Sequence, residues 1–319
     1  MKRIIITGGT GFIGANLVRR LIKDGHDVHL LVRPGYSNWR IQDIYADIFL
    51  HEADLKDETS LDKVIKQIHP EWIFHLATSG AYSWQTDIAC MVQTNILGTI
   101  NLVEACIRSG FESFINTGSS SEYGFKKIAP DETERLEPNS HYAVTKASAS
   151  LFCRYIAQSR NIPVYTLRLY SVYGQYEDPK RLMPSLIREG LKGKLPPLVD
   201  PATSRDYVYI DDVVDAYLLA VITPNQEIGA IYNIGSGNQS TLSEIVRLAI
   251  NTLGVKLEPD WNTMPQRLWD TTTWVANIQR AVSELKWHPR VNLEQGFTRM
   301  VQWYSENPKY LDIKMSNFQ

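Results

Sequence analysis

Ile4, Ile5 and Ile6 follow Lys2 and Arg3 with no alternation of polar positions, a pattern that suits a parallel strand covered on both faces. The run breaks into Thr7-Gly8-Gly9-Thr10-Gly11-Phe12-Ile13-Gly14, and the period then becomes helical. From Ala15 to Asp24, Leu17, Leu21 and Ile22 share one side, Arg19, Arg20 and Lys23 the other, and Gly25 closes the helix. Val28 to Val32 is a second apolar strand, which completes a βαβ unit. Further strands are predicted at 48–55, 72–77 and 114–117, with helices at 61–68 and 95–109 and another opening after Pro138-Asn139-Ser140. Beyond Pro179 the pattern predicts helices at 182–191, 213–221 and 242–253, the last with Thr241 before it and Gly254 after it. Aromatic residues crowd the stretch from Trp261 to Trp303, where core packing is the expected use. No repeat or low-complexity linker divides the chain.

Glycines at 8, 11 and 14 let a backbone turn tightly, approach a pyrophosphate and pack the next helix against the strand. The helix beginning near Phe12 directs its free N–H groups at the same place, so this is a dinucleotide site in outline; a ligand-free turn is the plainer alternative. An acid that would bind a ribose 2′-hydroxyl belongs near the end of the second strand, yet Arg33 stands there and Arg40 follows. Guanidinium groups grip a 2′-phosphate, which favours NADP(H) with NAD(H) possible; two solvated loop arginines are the alternative. The 72–77 strand ends at Leu76-Ala77 in residues small enough for a cofactor to come close, and its His75 is read as a core histidine.

Two further features carry chemistry. The 114–117 strand runs into Gly118-Ser119-Ser120-Ser121-Glu122-Tyr123-Gly124, a row of hydroxyls at the end of a parallel strand where ligands of open α/β sheets bind, though serine also serves turns and caps. Tyr142 and Lys146 lie four apart on one helical face. A nearby ammonium favours the phenolate, and bringing a phenol from ~10 to ~7 takes about 4 kcal/mol. The same spacing recurs at Tyr123/Lys127, Tyr176/Lys180 and Tyr310/Lys314, but only Tyr142/Lys146 sits on a well-started helix after a hydroxyl-rich strand end.

The net charge of -2 gives no basic surface for nucleic acid. Cys90, Cys106 and Cys153 are far apart and odd in number, which predicts buried thiols in a reducing cytoplasm, no disulfide framework and no metal site. No apolar run is expected to approach the roughly 18 residues of a membrane span, and a strand starting at once leaves no room for a signal peptide.

Taken together, Thr7–Gly14, Asp54-Leu55, His75–Ala77, Asn95 with Gly98-Thr99, Ser119–Gly124, Tyr142 with Lys146, Val172-Tyr173-Gly174, Arg205–Asp212 and Tyr232–Gly237 resemble the extended short-chain dehydrogenase/reductases, the NAD-dependent epimerase/dehydratase family. The resemblance implies an α/β fold: a doubly wound parallel-sheet Rossmann domain (1–171 plus 206–235) interleaved with a smaller C-terminal α/β domain (172–205 plus 236–319) for a nucleotide-diphosphate sugar. It implies Tyr142 as acid/base, Lys146 on the nicotinamide ribose, Ser119 on the sugar oxygen, Asp54 and Leu55 at adenine, and Asn95 at the cofactor. Ser120, Ser121, Ser171, Arg205 and Arg267 would hold the substrate, although many members have asparagine where Ser171 stands. It implies a homodimer through the 95–109 and 142–158 helices.

Members that dehydrate the sugar carry an acid pair, or a glutamate, just after the catalytic serine or threonine. Ser120 and Ser121 occupy those positions here, and Glu122 comes one residue late. The motif form looks closest to NADPH-dependent reductases of nucleotide-linked 4-keto-6-deoxyhexoses. An NAD-dependent 4-epimerase is the alternative enzyme reading, and an NADP(H)-binding redox sensor the non-enzyme one.

Overall fold

In a computed structural model, which describes residues 1–265 and 270–313, the three isoleucines form the core of β1 (Arg3–Thr7) and are 0% exposed. Successive side chains of a strand face opposite ways. Ile4 and Ile6 accordingly join Leu17, Val18 and Leu21 of α1 (Phe12–Lys23), while Ile5 joins a second core containing Leu61, Ile65, Leu102 and Phe114. Burial on both faces is why β1 reads as an unbroken apolar run.

The chain continues through β2 (Asp27–Val32), β3 (Phe49–Glu52), α2 (Glu58–Ile68) and β4 (Trp72–His75). It then enters one continuous helical run made of α3 (Ile88–Met91), a π-helical stretch Val92–Leu97 and α4 (Gly98–Ser109). β5 (Ser113–Ser119), α5 (His141–Arg160) and β6 (Val164–Leu169) follow. After them come β7 (Ser171–Tyr173), α6 (Leu182–Gly190), β8 (Ser204–Tyr209), α7 (Ile210–Ile222) and β9 (Ile231–Ile234). The last elements are β10 (Gln239–Thr241), α8 (Leu242–Leu253), α9 (Gln279–Leu285) and α10 (Leu293–Glu306).

Among the described residues the main sheet is parallel throughout, in the order β3-β2-β1-β4-β5-β6-β9. The order reverses between β1 and β4, and the crevice beyond the carboxyl ends of strands at such a switch point is where open α/β sheets bind ligands. A small sheet, β10-β8-β7, stands beside it. Asp206 to Tyr209, expected in the Rossmann portion, pair in this small sheet, whereas β9 completes the edge of the large one.

The helices expected from 61 and 95 begin earlier because side chains cap them ahead of the apolar pattern, while α7 begins at Ile210, ahead of the expected 213, with no side-chain cap. Asp57 accepts from the backbone N–H of Thr59 and Ser60 ahead of α2, and Asp87 accepts from Cys90 ahead of α3. The run Ile88–Ser109, expected to be too short, is long and apolar enough to cross a membrane by length and composition. Yet 44% of its most apolar window is buried in the fold, and polar Asn95 and Thr99 are buried within it. The three cysteines are free thiols.

Candidate active site

The turn after β1 is built for close approach. Gly8 has φ +72°, and a Cβ there would meet Ala77 N at 2.6 Å; at Gly14 it would meet Gly8 O at 2.2 Å. Gly11 caps α1 with no side-chain hydrogen bond and no acidic residue in the first turn, so the N–H groups at that helix start are available to an anion. The bare turn and uncapped helix border a cleft of about 1460 Å³. Thr10, Phe12, Ile13, Arg33, Arg40, Asp54, Leu55, Leu76 and Ala77 line it, and so do Ser119, Ser120, Ser121 and Tyr142. Ser171, at the start of β7, and Arg205 lie on the wall formed with the small sheet. These residues fit a dinucleotide laid across the switch point.

Not every expected cofactor residue stands at the cleft as a free group. Arg40 is 6% exposed, donates from Nε to Tyr176 O at 2.8 Å and lies 4.0 Å over the Trp39 ring. Burial pushes its pKa down, so it is an inward-held guanidinium, whereas Arg33 is exposed just past β2. Asn95 is not a cleft-lining residue: Nδ2 donates to Ser79 O (2.8 Å) and Thr145 Oγ1 (2.9 Å), and Oδ1 accepts from Ser79 N (2.8 Å) and Thr78 Oγ1 (3.1 Å). Its amide is committed to holding the loop after β4 against α5.

Ser140 caps α5 by accepting from Ala143 N, which sets Tyr142 in the first turn and Lys146 one turn on. Ser119 ends β5 and caps the short turn Ser120–Tyr123. Thr78, Ser119 and Tyr142 line the same cleft, so the loop after β4, the end of β5 and the start of α5 converge there. Burial pushes the Tyr142 phenol up to about 12, and the polar Ser119 and Thr78 side chains oppose the shift without reversing it. The direction is opposite to the expected one, because burial of the phenol outweighs every group that would stabilise the phenolate, and the Glu122 carboxylate adds to the shift. Thr78 is not singled out by the sequence pattern; the available signal was its place directly after Leu76-Ala77.

Glu122 stands outside the cleft. Its carboxylate is 0% exposed and accepts from Ser119 N (2.8 Å), Ser150 Oγ (2.9 Å) and Arg168 Nε (2.8 Å). His75 is buried between Thr7 Oγ1 (2.6 Å) and Thr99 Oγ1 (2.9 Å), and burial holds its pKa down at about 3, as befits a neutral core ring. On the wall formed with the small sheet, Trp274 Nε1 donates to Ser120 Oγ (3.1 Å), and Arg205 pairs with Asp270 (3.0 Å) beneath the Trp274 ring. Arg267 lies outside the described residues. The other tyrosines at lysine spacing have structural places. Tyr123 donates to Asn233, and Tyr176 and Tyr310 pack edge to face.

The NAD dependent epimerase/dehydratase family pattern matches residues 4–235. A dTDP-glucose 4,6-dehydratase of Neisseria gonorrhoeae is 30% identical over 96% of this chain and 96% of its own. A UDP-glucose 4-epimerase of Thermotoga maritima, solved with UDP-glucose, is 30% identical with a TM-score of 0.86, covering 96% of this chain and 99% of that one. A UDP-glucose 4-epimerase of Thermus thermophilus, solved with NAD, is 26% identical with a TM-score of 0.85, covering 95% and 99%.

Proposed function

The chain belongs to the NAD-dependent epimerase/dehydratase family, and from that premise we propose that it catalyses oxidation or reduction at C4 of a nucleotide-diphosphate hexose, with Tyr142 handling the O4 proton. The observation that carries this reading is that Ser119 and Tyr142 line one cleft with the glycine turn. Bound there, a nicotinamide dinucleotide supplies the hydride donor or acceptor. Gly8, Gly11 and Gly14 would hold its pyrophosphate, Asp54 and Leu55 its adenine, and Lys146, buried one turn beyond Tyr142, its nicotinamide ribose. Tyr142, a phenol protonated at neutral pH and held more firmly so by burial, donates to an alkoxide forming at O4, while the Ser119 hydroxyl donates to the same oxygen and steadies it. In the reverse direction the phenolate takes the O4 proton. The seven-stranded sheet is the cofactor lobe; the small sheet with Ser171 and Arg205 is the nucleotide-sugar lobe.

Dehydration needs an acid and a base besides the tyrosine. Ser120 and Ser121 supply no carboxylate, and Glu122 is engaged with Arg168, Ser150 and Ser119. Dehydration is therefore the less favoured reading beside two other C4 reactions, although dTDP-glucose 4,6-dehydratases are among the relatives. A 4-epimerase is supported by the likeness to UDP-glucose 4-epimerases, one of them with NAD bound. An NADPH-consuming 4-keto-6-deoxyhexose reductase is supported by exposed Arg33 at the end of β2, where a 2′-phosphate would lie. Val92 and Leu97 on the 88–109 run and Val144, Leu151 and Tyr155 on α5 are exposed apolar residues that support a homodimer through these helices.

The test is cofactor stoichiometry with UDP- and dTDP-hexoses and their 4-keto-6-deoxy forms. Interconversion without net change at the reduced-nicotinamide band makes the protein an epimerase, and consumption of NADPH makes it a reductase. Dinucleotide binding without either reaction would refute chemistry at C4.

A further inference from the structure

Ser119 and Tyr142 stand on different elements, and their relative placement depends on whatever ties β5 to α5. One side chain does this from outside the cleft. Glu122 Oε1 accepts two hydrogen bonds, from Ser119 N at the end of β5 (2.8 Å) and from Ser150 Oγ on α5 (2.9 Å). Ser150 lies one turn after Lys146 and two after Tyr142, on the same stripe of the helix. The other carboxylate oxygen takes Arg168 Nε of β6 (2.8 Å), and Arg168 Nη1 donates to Tyr123 OH (2.8 Å), which donates to Asn233 Oδ1 (2.8 Å). Gly118 completes the fit, since a Cβ there would come within 2.8 Å of Glu122 Oε1.

We propose that Glu122 is a positioning residue that sets the reach between the Ser119 hydroxyl and the Tyr142–Lys146 face of α5 and supplies the anion that balances Lys146. The carboxylate neither lines the cleft nor is exposed, so it acts through those three residues and not on substrate. Two buried cations, Arg168 and Lys146, act on this single buried acid. The other titratable groups acting with it are Tyr142 and Cys153 of α5, with Tyr123 and Glu132 on the far side of Arg168. This inference rests on the C4 reading for its kinetic arm, and its second arm is independent of turnover.

Two variants test it. Ser150→Ala removes the helix tether and leaves the Glu122–Arg168 pair; kcat should fall about tenfold with KM and dinucleotide affinity within about twofold, as misplacement of reacting groups predicts. Glu122→Gln keeps an acceptor for Ser119 N and Ser150 but removes the anion, so Lys146 should lose its proton at lower pH. That shift is read from the pH dependence of amine labelling at Lys146 by mass spectrometry, and it should also move the basic limb of the kcat profile downward. A merely structural role would change the folded fraction and neither the kcat–KM split nor the Lys146 titration. Wild-type kcat in Ser150→Ala, or an unmoved Lys146 titration in Glu122→Gln, overturns the proposal. If Glu122→Gln does not fold, the Ser150→Ala split alone decides. If the wild-type protein turns over no nucleotide sugar, the C4 reading fails while the Lys146 titration still decides the role of Glu122.

Discussion

Asn95 Nδ2 donates to Thr145 Oγ1 across 2.9 Å, which joins the π-helical stretch Val92–Leu97 to the helix that carries Tyr142 and Lys146. With its Oδ1 on Ser79 N and Thr78 Oγ1, this amide ties three parts of the site together from within the protein. Asn95→Ala leaves buried donors and acceptors without partners, so it should destabilise the fold by about 1–3 kcal/mol. Urea unfolding measures this. Dinucleotide affinity, followed in the same samples, should change less than it does for substitutions at the glycine turn.

Gly14→Ala should abolish dinucleotide binding, because its Cβ would lie 2.2 Å from Gly8 O and force the turn and α1 apart. Titration calorimetry with NAD(H) and NADP(H) checks this, with far-ultraviolet circular dichroism to show that the sheet persists. Retained affinity would mean that the cofactor does not use this turn.

His75 predicts an acid-sensitive fold. The ring titrates near 6.5 in the unfolded chain and at about 3 in the native one, so the native state favours the neutral ring. The stability this contributes is complete above about pH 6.5 and is lost as pH falls toward 3, up to roughly 5 kcal/mol in all. The slope of unfolding free energy between pH 6 and pH 4 measures it, and His75→Gln should flatten that slope.

Arg33 predicts cofactor choice. If it grips a 2′-phosphate, Arg33→Ala should weaken NADPH by about 1.5–3 kcal/mol, the scale of a charged hydrogen bond, and leave NADH nearly unchanged. Equal loss for both dinucleotides, or for neither, would favour an NAD-retaining 4-epimerase. Paired fluorescence titrations decide it.

What was legible in the sequence follows from how local each constraint is. The glycine turn reads directly because Gly8 and Gly14 are required by backbone atoms within a few residues or across one strand pair. Tyr142 and Lys146 read directly because Ser140 starts their helix and the spacing sets their face. Arg40 lines the cleft, but the hydrogen bond that holds its guanidinium inward goes to the carbonyl of Tyr176, far along the chain, which spacing does not report. Glu122 and Thr78 are invisible as site residues for the same reason: Ser150, Arg168 and Tyr142 meet them only after β5, β6 and α5 have packed. The upward shift of the Tyr142 phenol likewise depends on burial, which spacing does not report.

The most direct test of the account is turnover of nucleotide hexoses, or of their 4-keto forms, by Tyr142→Phe beside the wild-type protein, each saturated with dinucleotide. The account predicts that the variant binds dinucleotide with unchanged affinity and loses about 10²–10⁴ in kcat, the worth of a positioned acid/base. A Tyr142→Phe protein that turned over substrate at the wild-type rate would contradict it.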